Sequence, residues 1–160
     1  MKSYHILNCD TQQKIADSLY GYYVGITANK TVTDFWNHLT REQIKQYMLI
    51  PNNPTVKWFD SMGLKVRDMS FTLYNETVKT DIHKDQPPVV AKINFPVLNT
   101  KDTYNVWFDD DRNEIDRVEC DRPIVLRSDI LHTVEIGKSA SFPRLQFSFC
   151  FYNEPLQLLA

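Results

Sequence analysis

Arg144-Leu145-Gln146-Phe147-Ser148-Phe149-Cys150-Phe151 decides the fold. Leu145, Phe147, Phe149 and Phe151 alternate with Arg144, Gln146, Ser148 and Cys150. Successive side chains of a strand point to opposite faces, so the segment reads as a strand with one wholly apolar face. The other face opens with a cation and two hydrogen-bonding side chains. On the residues alone, that polar face suits bulk water or the wall of a pocket equally.

Working back from this strand, a period of two persists to Leu64. It predicts strands over 65–75, 89–97, 104–108, 115–120, 123–127, 131–136 and 144–152, separated by turn-rich pieces such as Asp109-Asp110-Asp111-Arg112-Asn113 and Gly137-Lys138-Ser139. Many short strands with few helices between them argue for an antiparallel sandwich or barrel.

The first 63 residues read mainly as helix. Asp10 with Gln13, and Thr40 with Gln43, have capping-box spacing, which predicts helices near 11–24 and 41–49. Thr33 is placed to cap a short helix carrying Phe35, Trp36 and Leu39, and another short helix carries Trp58, Phe59 and Met62 before Gly63 ends it. Pro51 and Pro54 stop the run that closes at Met48. The expected organisation is one domain over 1–160: helical support over 1–63, a β core over 64–152 and a tail over 153–160.

Length and composition suit an ordinary globular chain, with 160 residues, 42% apolar and 24% charged. A net charge of -2 exerts no global pull on nucleic acid or anionic lipid, which leaves only a local patch at Arg117, Arg122 and Arg127 to consider. Residues 1–10 hold no apolar stretch of signal-peptide length, and no 18-residue apolar run occurs, so a cytoplasmic protein without a membrane or nucleic-acid partner is expected. Cys9, Cys120 and Cys150 lack paired metal-site spacing and read as buried free thiols of a reducing compartment.

Chemistry concentrates in His83, Asp85, His132 and Arg144. His83 and Asp85 are two apart on extended chain and can approach one ion together. His132 lies in the apolar run Ile130-Leu131-His132-Thr133-Val134, where an unpartnered imidazole is costly to bury. Two imidazoles and a carboxylate can cap one face of a six-coordinate metal, leaving the opposite face open, as in non-haem Fe(II) oxygenases. Spacing alone does not decide this: with 4 His and 14 Asp in the chain, roughly 0.35 chance His-x-Asp pairs are expected. Context does, since all four residues fall in or beside predicted strands. His5 and His38 are read as a terminal and a helix-surface histidine.

Arg144 offers a planar fork suited to a carboxylate. Lys92 and Asn94 share one face of Val89–Val97 while Ile93, Phe95 and Val97 take the other, so the polar pair faces either a solvated edge or a carboxylate in a pocket. Trp107, Phe108 and the turn at Asp109 to Asp111 read as a hairpin core followed by a solvated turn.

The segments Ile82-His83-Lys84-Asp85, Lys92-Ile93-Asn94-Phe95-Pro96, Ile130-Leu131-His132-Thr133-Val134 and Pro143-Arg144-Leu145 resemble the double-stranded β-helix oxygenases that use Fe(II) and 2-oxoglutarate, and within them the aspartyl/asparaginyl β-hydroxylase-like proteins. The resemblance covers about residues 70–152. It implies a jelly-roll, cupin-like barrel in which His83, Asp85 and His132 ligate iron. Arg144, helped by Thr72 or Ser148, would hold the distal carboxylate of 2-oxoglutarate, with Lys92 and Asn94 near its metal-side carboxylate. The implied activity is hydroxylation of an amino-acid residue, free amino acid or small metabolite, with release of succinate and CO2. The chain departs from the resemblance where many relatives carry Arg and His in place of Lys92 and Asn94, and where Gln146 replaces the Ser of an Arg-x-Ser pattern. The same three ligands also suit a Zn- or Mn-dependent isomerase or hydrolase on a cupin-like barrel, and the barrel alone suits a noncatalytic ligand-binding protein.

Overall fold

The computed structural model describes residues 1–28, 35–78 and 80–160. Its elements run β1 (Tyr4–Ile6), α1 (Gln12–Thr27), β2 (Phe35–His38), α2 (Arg41–Met48), α3 (Pro54–Ser61), β3 (Val66–Tyr74), β4 (Ala91–Leu98), β5 (Thr103–Phe108), β6 (Glu114–Glu119), β7 (Ile124–Arg127), β8 (His132–Ile136) and β9 (Arg144–Phe151), then a 3-10 turn (Leu156–Leu159).

Two antiparallel sheets form. The larger has strand order β1-β7-β4-β9-β3-β2 and the smaller β6-β5-β8. His83 extends the smaller sheet through an isolated antiparallel bridge to His132. From β3 onward the chain therefore alternates between sheets in the order of a double-stranded β-helix, with mainly β structure and helices at the N-terminal side, as the sequence predicts.

β9 lies at the centre of the larger sheet, between β3 and β4. Its Leu145, Phe147, Phe149 and Phe151 are all fully buried in one cluster with Ile15 and Leu19 of α1, Phe59 of α3, Phe71 of β3 and Ile93 and Phe95 of β4. Phe59 meets Phe149 and Phe151 edge-on at 4.9 and 5.0 Å between centroids. Each such side chain contributes about 1.5–3 kcal/mol by leaving water. The helices thus cover the apolar face of the larger sheet, and its polar face turns inward between the sheets.

Helix α1 does this through Ile15, Leu19, Tyr22, Tyr23 and Ile26, spaced for one face of a helix. In α2 the Thr40–Gln43 capping box forms in both directions. In α3, Asn53 caps Thr55 and Pro54 occupies the first turn, so Pro54 starts a helix as well as ending the preceding run. Gly63 takes φ +70 after α3, a conformation that favours glycine.

The N-terminal region is mainly helical, as expected, and also carries two short strands, β1 paired with β7 and β2 paired with β3. Two expectations need correction. Phe35, Trp36 and His38 stand on β2, not on a helix: β3 offers an open edge, and extended aromatic residues satisfy its backbone groups. Thr33, read as the cap of that helix, lies outside the described residues. The Asp10 capping box is also absent, since Thr11 occupies the start of α1 and its side chain makes no capping bond.

The expected tail folds back, burying Leu159 fully. The thiols are free but not uniformly buried: Cys120 is enclosed while Cys9 and Cys150 are half-buried. Arg117, Arg122 and Arg127 do not make a bare basic patch, since Glu114 and Glu135, Asp121 and Asp129 respectively stand against them. Among the described residues no helix is long and apolar enough to cross a membrane.

Candidate metal centre

Two of the three predicted ligands lie on the connection between β3 and β4, and the third begins β8. Backbone hydrogen bonds bring them together: His83 N–H donates to His132 O at 3.0 Å, His132 N–H to His83 O at 2.9 Å, and Asp85 N–H to Ser128 O at 2.8 Å. The connection thereby runs antiparallel beside β8.

The ligand atoms of His83, Asp85 and His132 all lie within 4.8 Å of one another. Each imidazole Nε2 is 3.5 Å from Asp85 Oδ1. Ligands about 2.1 Å from an ion and at right angles stand about 3 Å apart, so little movement separates this arrangement from coordination.

The tautomers follow from the neighbours. His83 Nδ1 is 3.0 Å from Asp81 O and His132 Nδ1 is 2.8 Å from Ile130 O. Carbonyls only accept, so both Nδ1 atoms carry the proton, and in the neutral rings both Nε2 lone pairs face the gap. Burial pushes the Asp85 carboxyl upward, but its contacts with His132, His83 and Lys92 outweigh burial and hold it well below the carboxylate range. Pairing with Asp85 raises His83, against the opposing effect of burial.

Lys92 closes the arrangement from behind. Its Nζ donates to Asp85 Oδ2 at 2.7 Å. The family resemblance implies Lys92 near the metal-side carboxylate of a bound acid; the carboxylate it meets in the structure is that of Asp85.

The three residues stand at one side of a cavity of about 650 Å³ between the sheets. Its walls are the polar faces of β3 (Asp68, Ser70, Thr72, Tyr74), β4 (Lys92, Asn94) and β9 (Gln146, Ser148, Cys150), with Asn105 and Leu126 from β5 and β7. This resolves the sequence ambiguity at β4 and β9: their polar residues face a pocket. Ser148 donates to Asn94 Oδ1 at 2.7 Å. Thr72 Oγ1 is buried and, among the described residues, has no hydrogen-bond partner.

Arg144 lies beneath this cavity and does not line it. It is fully buried, with Nε donating to Thr103 Oγ1 at 3.1 Å and Nη2 to Gln146 Oε1 at 3.0 Å, while Tyr74 lies 5.4 Å from the guanidinium carbon. Among the described residues Nη1 has no hydrogen-bond partner. A buried cation without a counter-ion costs several kcal/mol. Cys120 does not supply one, since burial pushes its thiol up despite the nearby guanidinium.

The donor set fits a divalent metal: two imidazoles that present Nε2 and an ionised carboxylate on one side, with the cavity open on the other. The lone Nη1 and the unpartnered Thr72 hydroxyl fit the carboxylate end of an acid entering from that side.

The sequence matches no family model and no curated protein. Solved structures do resemble the fold. EvdMO1 superposes with a TM-score of 0.58 at 12% identity, over 95% of this chain and 47% of that one, so the chain spans about half of EvdMO1. A Pseudomonas putida prolyl-4-hydroxylase gives 0.57 at 11% identity, covering 94% and 92% of the two chains. The viral collagen prolyl hydroxylase of Paramecium Bursaria Chlorella virus-1 gives 0.52 at 9%, covering 96% and 91%. At such identities the likeness establishes the barrel and leaves the chemistry to the residues.

Sequence reasoning missed the aromatic rim. Phe35 and Trp36 are exposed on β2 and, with Tyr74, line the cavity. Reading this segment as helix hid them, although adjacent aromatics beside a missing apolar period were a strand signal. Trp107 is fully buried core, with Nε1 donating to Arg127 O at 3.0 Å.

Proposed function

We propose that the chain is an Fe(II)- and 2-oxoglutarate-dependent oxygenase that hydroxylates an amino-acid residue, a free amino acid or a small metabolite. The observation that carries this reading is the convergence of His83, Asp85 and His132 on one point of a cavity whose floor covers an unpaired guanidinium. The likeness to two prolyl hydroxylases supports it. The chemistry supplied by such a centre is hydroxylation of a substrate C–H bond by dioxygen, with 2-oxoglutarate oxidised to succinate and CO2.

The chain's own residues do the placing. His83 and His132 present Nε2 because Asp81 and Ile130 fix the opposite nitrogen. Asp85 offers Oδ1 because Lys92 occupies Oδ2. Arg144, with help from Thr72, receives the distal carboxylate of the acid, while Ser148, the other candidate helper, is bonded to Asn94 and stands with it and Lys92 nearer the metal end. Phe35 and Trp36 form the mouth that a substrate covers, excluding water, while the buried Tyr74 ring lies against the Arg144 guanidinium at the inner end.

Three free thiols are consistent with the reducing cytoplasm as the site of action. In this proposal residues 1–160 form one domain, with the helices of 1–63 supporting the β core of 64–152.

Anaerobic addition of Fe(II) and 2-oxoglutarate tests the proposal. A weak visible charge-transfer band is expected, absent from His83→Ala and His132→Ala. Folded, iron-loaded wild type without the band excludes the assignment, and succinate release separates it from a Zn or Mn isomerase or hydrolase.

A further inference from the structure

Two β9 residues, Arg144 and Gln146, point to the same side of the strand, and both are almost wholly enclosed, at 0% and 4% exposure. A guanidinium only donates, so the Gln146 atom 3.0 Å from Nη2 must be its amide oxygen. That oxygen stands where one oxygen of an arriving carboxylate would stand in a two-pronged contact. Gln146 also lines the cavity and Arg144 does not. Whatever reaches the floor therefore meets the amide before the charge. Thr103 holds Nε from the other side, which leaves Nη1 as the donor without a partner.

We infer that Gln146 is an internal occupant of the anion seat on Arg144, and that an acid entering the cavity gains the guanidinium only by displacing this side chain. The inference rests on the cosubstrate reading above and adds a specificity-determining residue to it. Its physical content is competition: one buried hydrogen bond must open before an ionic one forms, which weakens dicarboxylates relative to acids that grip the metal end alone.

Two substitutions act in opposite directions. Gln146→Ala removes the competitor. Gln146→Glu keeps the shape and supplies a permanent carboxylate beside Nη2. The measurement is calorimetric binding of 2-oxoglutarate and of 2-oxobutyrate to Mn(II)-loaded protein, which needs no turnover; 2-oxobutyrate carries the same 2-oxo acid end without the distal carboxylate.

Gln146→Ala should bind 2-oxoglutarate about tenfold more tightly, the worth of one net hydrogen bond, with 2-oxobutyrate unchanged. Gln146→Glu should bind 2-oxoglutarate at least about tenfold more weakly, again with 2-oxobutyrate unchanged. Unchanged or weaker 2-oxoglutarate binding by Gln146→Ala, or parallel shifts for both acids, overturns the inference while leaving the cosubstrate reading intact. Should Gln146→Ala not fold, undiminished 2-oxoglutarate binding by Gln146→Glu overturns it equally. No 2-oxoglutarate binding by any Mn(II)-loaded form, wild type included, removes the cosubstrate reading and this inference with it.

Discussion

Lys92 Nζ lies 2.7 Å from Asp85 Oδ2, while Oδ1 of the same carboxylate is 3.5 Å from both imidazole Nε2 atoms. One carboxylate is thus divided between a cation that orients it and the gap that it and the two imidazoles frame.

Lys92→Met should therefore weaken metal binding by about 10–100-fold, the usual effect of losing a residue that holds a ligand in place. Competition against a chromophoric chelator measures this. An unchanged affinity would show that Asp85 needs no support.

Opposite pH trends are expected with and without metal. Pairing with Asp85 raises His83 above its ordinary value, so the metal-free protein holds that stabilisation in full below the ordinary imidazole range and loses it as pH rises through the raised value. Metal requires the neutral ring, so the thermal shift produced by Mn(II) should grow as pH rises across the same window. Asp85 stays ionised throughout, so its own titration contributes nothing there. Melting curves from about pH 5 to 9, with and without Mn(II), test both trends.

Arg144→Leu should cost 2-oxoglutarate binding about 2–5 kcal/mol and leave metal affinity unchanged. Calorimetry with each ligand separates the two effects. Equal losses of both would contradict the placement of Arg144 beneath the cavity floor.

Phe147→Ala and Trp36→Ala should differ sharply in stability. Phe147 is fully enclosed under the helices, and its truncation is expected to cost about 3–5 kcal/mol. Trp36 is 59% exposed at the rim, so its truncation should stay within about 0.5 kcal/mol in denaturant unfolding.

The strand framework was legible because alternation is local. β3 through β9 fall within two residues of the expected bounds, and the apolar faces of β4 and β9 are the ones the sequence assigns. The approach of His83 and Asp85 to His132 was legible from extended spacing and residue chemistry. β1 was not, because three residues cannot display a period and the partner, β7, lies more than a hundred positions away. β2 was lost to a helical reading, and the aromatic rim with it. The partners of Lys92 and Gln146 were hidden for another reason: a cation or an amide on a pocket wall has several suitable neighbours, and only distance selects among them.

The reciprocal backbone bonds between His83 and His132, with that from Asp85 to Ser128, hold a connection otherwise outside the strand ladders. An ion gripped by those same side chains would act as a clasp, lending its affinity to a seam that is otherwise held by these backbone bonds and by Thr80 against Thr133 and Val134. Scarcity of metal should then unfasten this flank first and leave the phenylalanine layer beneath the helices intact. Proteases would meet the starved protein at residues 80–90, and metal supply would then help set how long the molecule survives.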